Sequence, residues 1–143
     1  MRSDDRGSEI LDRGECLRLL TNNTRAVGRV GFVNSQALAT ILPVNYAVLN
    51  GEIVFRTGSG DVSSAVTQNQ VVAFEIDQVD ARTGQCWSVL VRGVATFFAD
   101  DSVTSGAELP RPLVPVPGSQ IVRVQATVVT GRRFPLPEAN EPT

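Results

Sequence analysis

The sequence predicts a mainly β fold, a small antiparallel barrel with one early helix and one mid-chain helix. Three observations carry that expectation. Short runs rich in Val, Ile, Thr and Phe recur along the chain, separated by turn-forming residues. Asn50-Gly51 stands between two such runs and is a strong hairpin signal. Only two short stretches, 12–20 and 61–69, suit a helix.

The elements follow in chain order. Residues 1–9 are polar and are expected to fray. Residues 12–20 form an amphipathic helix, with Asp12 as the cap and Glu15 three positions on. Cys16, Leu19 and Leu20 share its apolar face, and Asn22-Asn23 ends it. Val27 to Val33 is a Gly-interrupted strand. Ala37 to Val48 is long enough for a bent strand. Leu38, Thr40, Leu42, Val44, Tyr46 and Val48 form its core face. Pro43 implies an edge, a bulge or a break in pairing. Glu52 to Thr57 is the return strand of the Asn50-Gly51 hairpin. Gly58, Ser59 and Gly60 open a polar loop, and 61–69 follows as a helix with Ala65 and Val66 inward. Gln70 to Val79 is a strand with Val72, Phe74 and Ile76 on one face. Cys86 to Ala99 and Ser119 to Val129 are two more strands. Between them, residues 100–118 hold Pro110, Pro112, Pro115 and Pro117 and are expected to form a loop.

The chain has 143 residues, enough for one domain with a substantial core. The domain is placed at 10–134, between a flexible N-terminus at 1–9 and a flexible tail at 135–143. No apolar run approaches the roughly 20 residues a membrane helix needs. The polar opening Met1-Arg2-Ser3-Asp4-Asp5 is no secretory leader, so a cytoplasmic location is expected.

Every basic residue is arginine, since the chain has neither lysine nor histidine. Histidine-based nucleophile systems, histidine-ligated zinc and lysine Schiff bases are therefore excluded. A phosphate must be held by arginine, hydroxyls and backbone N–H groups. The net charge of −2 gives no bias toward nucleic acid. Cys16 and Cys86 fit no metal spacing and are expected to be small buried thiols.

Three segments could hold a ligand. In the strand around Pro43, a bulge would free backbone groups for a planar molecule, although the pattern alone favours an ordinary edge bulge. Arg56-Thr57-Gly58-Ser59-Gly60-Asp61-Val62-Ser63-Ser64 runs from a strand through a Gly-rich loop into a helix. Arg56 and the hydroxyls of Thr57, Ser59, Ser63 and Ser64 suit a phosphate, but Asp61 puts a negative charge there. In Trp87-Ser88-Val89-Leu90-Val91-Arg92-Gly93, Trp87, Val89 and Val91 share one face, and Ser88, Leu90 and Arg92 the other. Gln68, Glu75 and Asp77 are read as surface or strand residues, and no paired carboxylates stand out.

At these three segments the sequence resembles the pyridoxamine 5′-phosphate oxidase-like, flavin-binding split-barrel family, and its small actinobacterial branch most. The resemblance runs from Glu15 to Arg133. It rests on Val27-Gly28-Arg29-Val30, Leu42 to Val48, Ile53 to Thr57, Val72 to Asp77, Trp87 to Gly93, and Val122-Arg123-Val124 through Val129 to Arg133. It implies a six-stranded antiparallel split β-barrel with short flanking helices, and a homodimer with FMN in clefts between the subunits. By position, Leu42, Pro43, Val44 and Asn45 would lie along the isoalloxazine ring. Arg56 and Thr57 would lie near the ribityl-phosphate, with Ser63 on the loop that follows. Trp87 and Ser88 would approach from a neighbouring strand. The chain departs from the family at one point. Similar proteins usually carry Lys or Arg near Val62 or Ser63, and here Asp61, Val62 and Ser63 stand there. Arg56, or Arg132 or Arg133 of a second subunit, would then supply the phosphate's counter-charge.

The resemblance implies an FMN-dependent oxidoreductase acting on a small organic substrate, with no nucleic acid or membrane partner. The alternatives are a reductase using a deazaflavin coenzyme, and a dimeric binding module that is not an enzyme.

Overall fold

The computed structural model describes residues 2–3, 7–58, 60–97 and 120–136. Ten strands and two helices are assigned among them, and every strand pairing is antiparallel. The strands are β1 (Arg2–Ser3), β2 (Glu9–Leu11), β3 (Gly28–Val33), β4 (Ala39–Val44), β5 (Tyr46–Leu49), β6 (Glu52–Thr57), β7 (Val71–Asp80), β8 (Gln85–Phe97), β9 (Gln120–Val124) and β10 (Val128–Pro135). The helices are α1 (Arg13–Asn22) and α2 (Gly60–Thr67).

The sheet curls because two stretches of chain change partners along their length. The strand expected to bend does so at Asn45, two residues after Pro43. Before it, β4 pairs β3; after it, β5 pairs β6. The segment expected as one strand, Ser119 to Val129, is likewise two, with residues 125–127 between them. β9 pairs β6 and the end of β8, and β10 pairs the rest of β8 and β2. Pairing therefore runs from β3 through β4/β5, β6, β9, β8 and β7 back to β3. This curled antiparallel sheet, carried from β4 to β5 by the chain and not by pairing, is a split barrel.

The interior follows the two-residue alternation of the strands. Val72, Phe74 and Ile76 face inward from β7, and Val89 and Val91 from β8. Ile53, Phe55, Val122 and Val124 face them from the β6–β9 ladder. Cys16, Leu19 and Leu20 of α1 close one side, and Val62, Ala65 and Val66 of α2 another. Asp12 caps α1, its carboxylate accepting from the Glu15 N–H at 2.8 Å. The Asn50-Gly51 turn has positive φ at both residues, 52° and 76°, as a type I′ hairpin requires.

Several expectations are corrected. Leu38, expected on the core face, lies outside β4 and is exposed. Val62 joins Ala65 and Val66 as a buried residue of α2. Residues 1–9 contribute paired backbone at Arg2–Ser3 and Glu9, where fraying was expected. Pro135 belongs to β10, and the Leu136 N–H donates to the Gly84 carbonyl at 2.7 Å, although both were assigned to the tail. The expected loop at 100–118 lies outside the described residues. Cys16 and Cys86 are both buried, and burial raises both thiol pKa values.

Candidate functional site

β6 delivers the first part of the site. Its alternation sends Ile53 and Phe55 into the core and brings Thr57, the next residue on that face, to the rim. Thr57 is buried, with 7% of its surface exposed. Gln120 stands opposite it on β9. Ser63 of α2 donates its hydroxyl to Gln120 Oε1 at 3.0 Å. Thr57, Ser63 and Gln120 thus form one polar corner at the end of the β6–β9 ladder. Arg56 is half-buried beside it, on the opposite face of β6 by the pleat, and makes no ion pair or hydrogen bond among the described residues. Asp61 adds a carboxylate in the first turn of α2. Sequence reasoning named Arg56, Thr57 and Ser63 but missed Gln120. A lone glutamine carries no pattern, and only the pairing with Thr57 reveals its place.

The second part is the edge formed by β4. Val44 is buried in the core and Leu42 packs against it, so their side chains turn away from the outer surface. Pro43 is exposed, and Asn45 occupies the break before β5. Among the described residues β4 pairs only with β3, which leaves its other backbone edge unpaired. β4 also contacts β6, so this edge adjoins the polar corner.

Trp87 and Ser88 lie elsewhere. Trp87 packs against the core from the inner face of β8, and Ser88 lies on the outer face between Asp77 and Arg132. The two side chains leave opposite faces of β8. β3 and β7 also intervene between β4 and β8. Three strand spacings of about 4.8 Å separate the two groups by roughly 14 Å along the sheet.

The outer face carries a charge cluster that the sequence did not announce. Arg29 Nη2 lies 2.6 Å from Glu75 Oε1 and 3.1 Å from Asp77 Oδ2. Glu75 and Asp77 are two apart on β7 and share a face, so they are paired carboxylates after all. Burial and the neighbouring Asp77 raise the Glu75 pKa, against the opposing pull of Arg29. Arg133 is not a spare cation for a phosphate. Its guanidinium is committed to Glu9 at 3.2 Å and Glu15 at 3.0 Å. Arg132 is exposed on the outer face, opposite Ser88.

Among the described residues no cluster of three His, Cys, Asp or Glu side chains could hold a metal ion. No helix among them is long and apolar enough to cross a membrane. A groove of about 370 Å³ between α1, the Asn50-Gly51 turn and residues 125–127 touches none of the expected site residues.

The family model described as pyridoxamine 5′-phosphate oxidase matches residues 12–133. The chain belongs to the pyridoxamine 5′-phosphate oxidase-like family. The solved FAD binding protein from Mycobacterium smegmatis is 38% identical, with a TM-score of 0.69 over 88% of this chain and 99% of that one. A solved Corynebacterium glutamicum protein is 32% identical, with a TM-score of 0.72 over 95% of this chain and 100% of that one. The uncharacterized protein Rv0080 of Mycobacterium tuberculosis is 37% identical over 130 residues, 87% of this chain and 84% of that protein. The pyridoxamine 5′-phosphate oxidase-like family is one of flavin-binding proteins with the split-barrel fold, and the circuit of strands above is that fold.

Proposed function

We propose that the chain is a flavin-nucleotide-dependent oxidoreductase acting on a small organic molecule, working as a homodimer whose cofactor cleft takes residues from both copies. The observation that carries this reading is the polar corner of Thr57, Ser63 and Gln120, with Arg56 next to Thr57 on the other face of β6 and without an ion pair or hydrogen bond among the described residues. These groups suit a phosphate in a chain that has no lysine. The β4 edge at Pro43 and Asn45 would flank the ring. Trp87 and Ser88 would come from the second copy, because roughly 14 Å separates them from that edge within one chain. When bound, the flavin supplies the electron chemistry, and the protein orients it and excludes water. Two buried thiols suit the reducing cytoplasm.

The pyrophosphate of FAD and the terminal phosphate of FMN carry about the same charge, roughly two negative charges at neutral pH, so charge alone does not choose between them. FAD is a second reading, supported by the Mycobacterium smegmatis relative described as FAD-binding.

The test is the visible absorption spectrum of the purified protein, repeated after adding FMN, FAD or a deazaflavin coenzyme and desalting. A retained flavin band, weakened at least tenfold in affinity by Arg56→Ala, is expected. Retention of the deazaflavin alone would move the chain to the deazaflavin reductases. A protein that binds none of the three at high micromolar concentration would be a non-catalytic binding module.

A further inference from the structure

The three side chains of the corner at the end of the β6–β9 ladder are not equivalent. Thr57 is buried and already engaged within the chain. Ser63 spends its single hydroxyl proton on Gln120 Oε1, at 3.0 Å. It can accept a further hydrogen bond but has no proton left to give an anion. Gln120 is exposed, and the N–H donors of its Nε2 meet no acceptor among the described residues. Asp61, in the first turn of α2, adds only acceptors. An anion brings acceptors of its own, so donors are what the corner must supply. Gln120 holds the uncommitted ones.

We propose that Gln120 is the residue that selects a phosphorylated flavin, its Nε2 donating to the phosphate, and that Ser63 is a positioning residue that acts through Gln120 and not on the ligand. The inference rests on the flavin reading above and divides the corner into a contact and its support. A carboxamide can meet an anion with its nitrogen end or repel it with its oxygen end. The Ser63 proton on Oε1 ties down the oxygen and leaves the nitrogen for the ligand. The strand register sets the reach. Gln120 and Thr57 are cross-strand partners, with Cβ atoms about 4.5–5.5 Å apart, so a phosphate at the rim beside Thr57 lies within range of the carboxamide.

The two roles leave different marks. Riboflavin has the ring and the ribityl chain of FMN but no phosphate, so a contact to the phosphate contributes nothing to its binding. A residue that only supported the fold of the corner would affect all flavins alike. A residue that acts through another also loses its effect once that other is gone, so the Ser63 and Gln120 effects are coupled rather than additive.

The experiment is the dissociation constant of the full chain for FMN, FAD and riboflavin, from equilibrium dialysis. It is measured for the wild type, Gln120→Ala, Gln120→Glu, Ser63→Ala, Ser63→Thr, and Ser63→Ala combined with Gln120→Ala. Gln120→Glu keeps an acceptor for the Ser63 hydroxyl and replaces the N–H donors with a carboxylate oxygen. It should weaken the phosphorylated flavins by roughly tenfold or more and leave riboflavin unchanged. Ser63→Ala should weaken them less than Gln120→Ala does, and Ser63→Thr should restore the wild-type value. The double variant should bind no more weakly than Gln120→Ala alone. Circular dichroism confirms that each variant is folded. A preference for phosphorylated flavin that survives both Gln120 variants, or a Ser63→Ala loss that adds to that of Gln120→Ala, overturns the assignment and leaves the flavin reading standing. A wild type that binds riboflavin as tightly as FMN and FAD, or binds none of the three, overturns both the assignment and the phosphate site it rests on.

Discussion

Gly93 shows how a single residue can decide a backbone crossing. It sits where β8 passes from β10 to β9, and a Cβ there would overlap the carbonyl oxygen of Gln125. Neither backbone can retreat without breaking a ladder. Gly93→Ala should cost more than about 2 kcal/mol, read from the urea midpoint. Glu15 has a different role. Its hydrogen bonds from Arg18 and then Arg133 pull its pKa from 4.5 down to about 2. Between those values the unfolded chain binds the extra proton, so stability is present above pH 4.5 and is lost as pH falls toward 2. Glu15→Gln should flatten that loss, measured as urea midpoints across the same range. The sequence showed Glu15 as a capping-box residue, and Asp12 does cap α1. Its ion pair with Arg133, 118 positions away, lay beyond any local pattern.

Among the elements, α1 was legible because its cap, apolar face and Asn22-Asn23 stop all lie within one short window. What fastens it to the barrel was not. Tyr46, buried and tilted against Phe74 with ring centroids 4.9 Å apart, donates its hydroxyl to the Leu20 carbonyl at 2.7 Å. Asn23 donates to the Leu19 carbonyl at 2.7 Å. Both satisfy carbonyls that the helix end leaves without partners. Tyr46→Phe should cost about 1 kcal/mol and lower Tm by roughly 3 °C in a thermal melt. The bend of 37–48 was expected from Pro43, yet pairing changes at Asn45. Pro43 stays in register with Arg29, because an edge strand tolerates a missing N–H.

At the scale of the whole molecule, the nine expected site residues divide between two regions of one chain, and the proposed dimer is what would bring them together. Arg56→Ala and Trp87→Ala should each abolish flavin retention when expressed alone. Co-expressed and purified as a heterodimer, they should recover one intact cleft of two, read as half the wild-type flavin absorbance per dimer. No recovery would place both residues in a single-chain cleft. By itself the sequence determined the β class, the Asn50-Gly51 hairpin, both helices and which residues of β7 and β8 share a face. Turn chemistry and the two-residue alternation of strands are local and leave their mark on consecutive residues. Only the tertiary structure decided which strand ends meet. It set Gln120 against Ser63, 57 positions away, and Glu75 against Arg29, 46 positions away. Such approaches follow from where the sheet closes, and chain closure brings together residues that no local pattern relates.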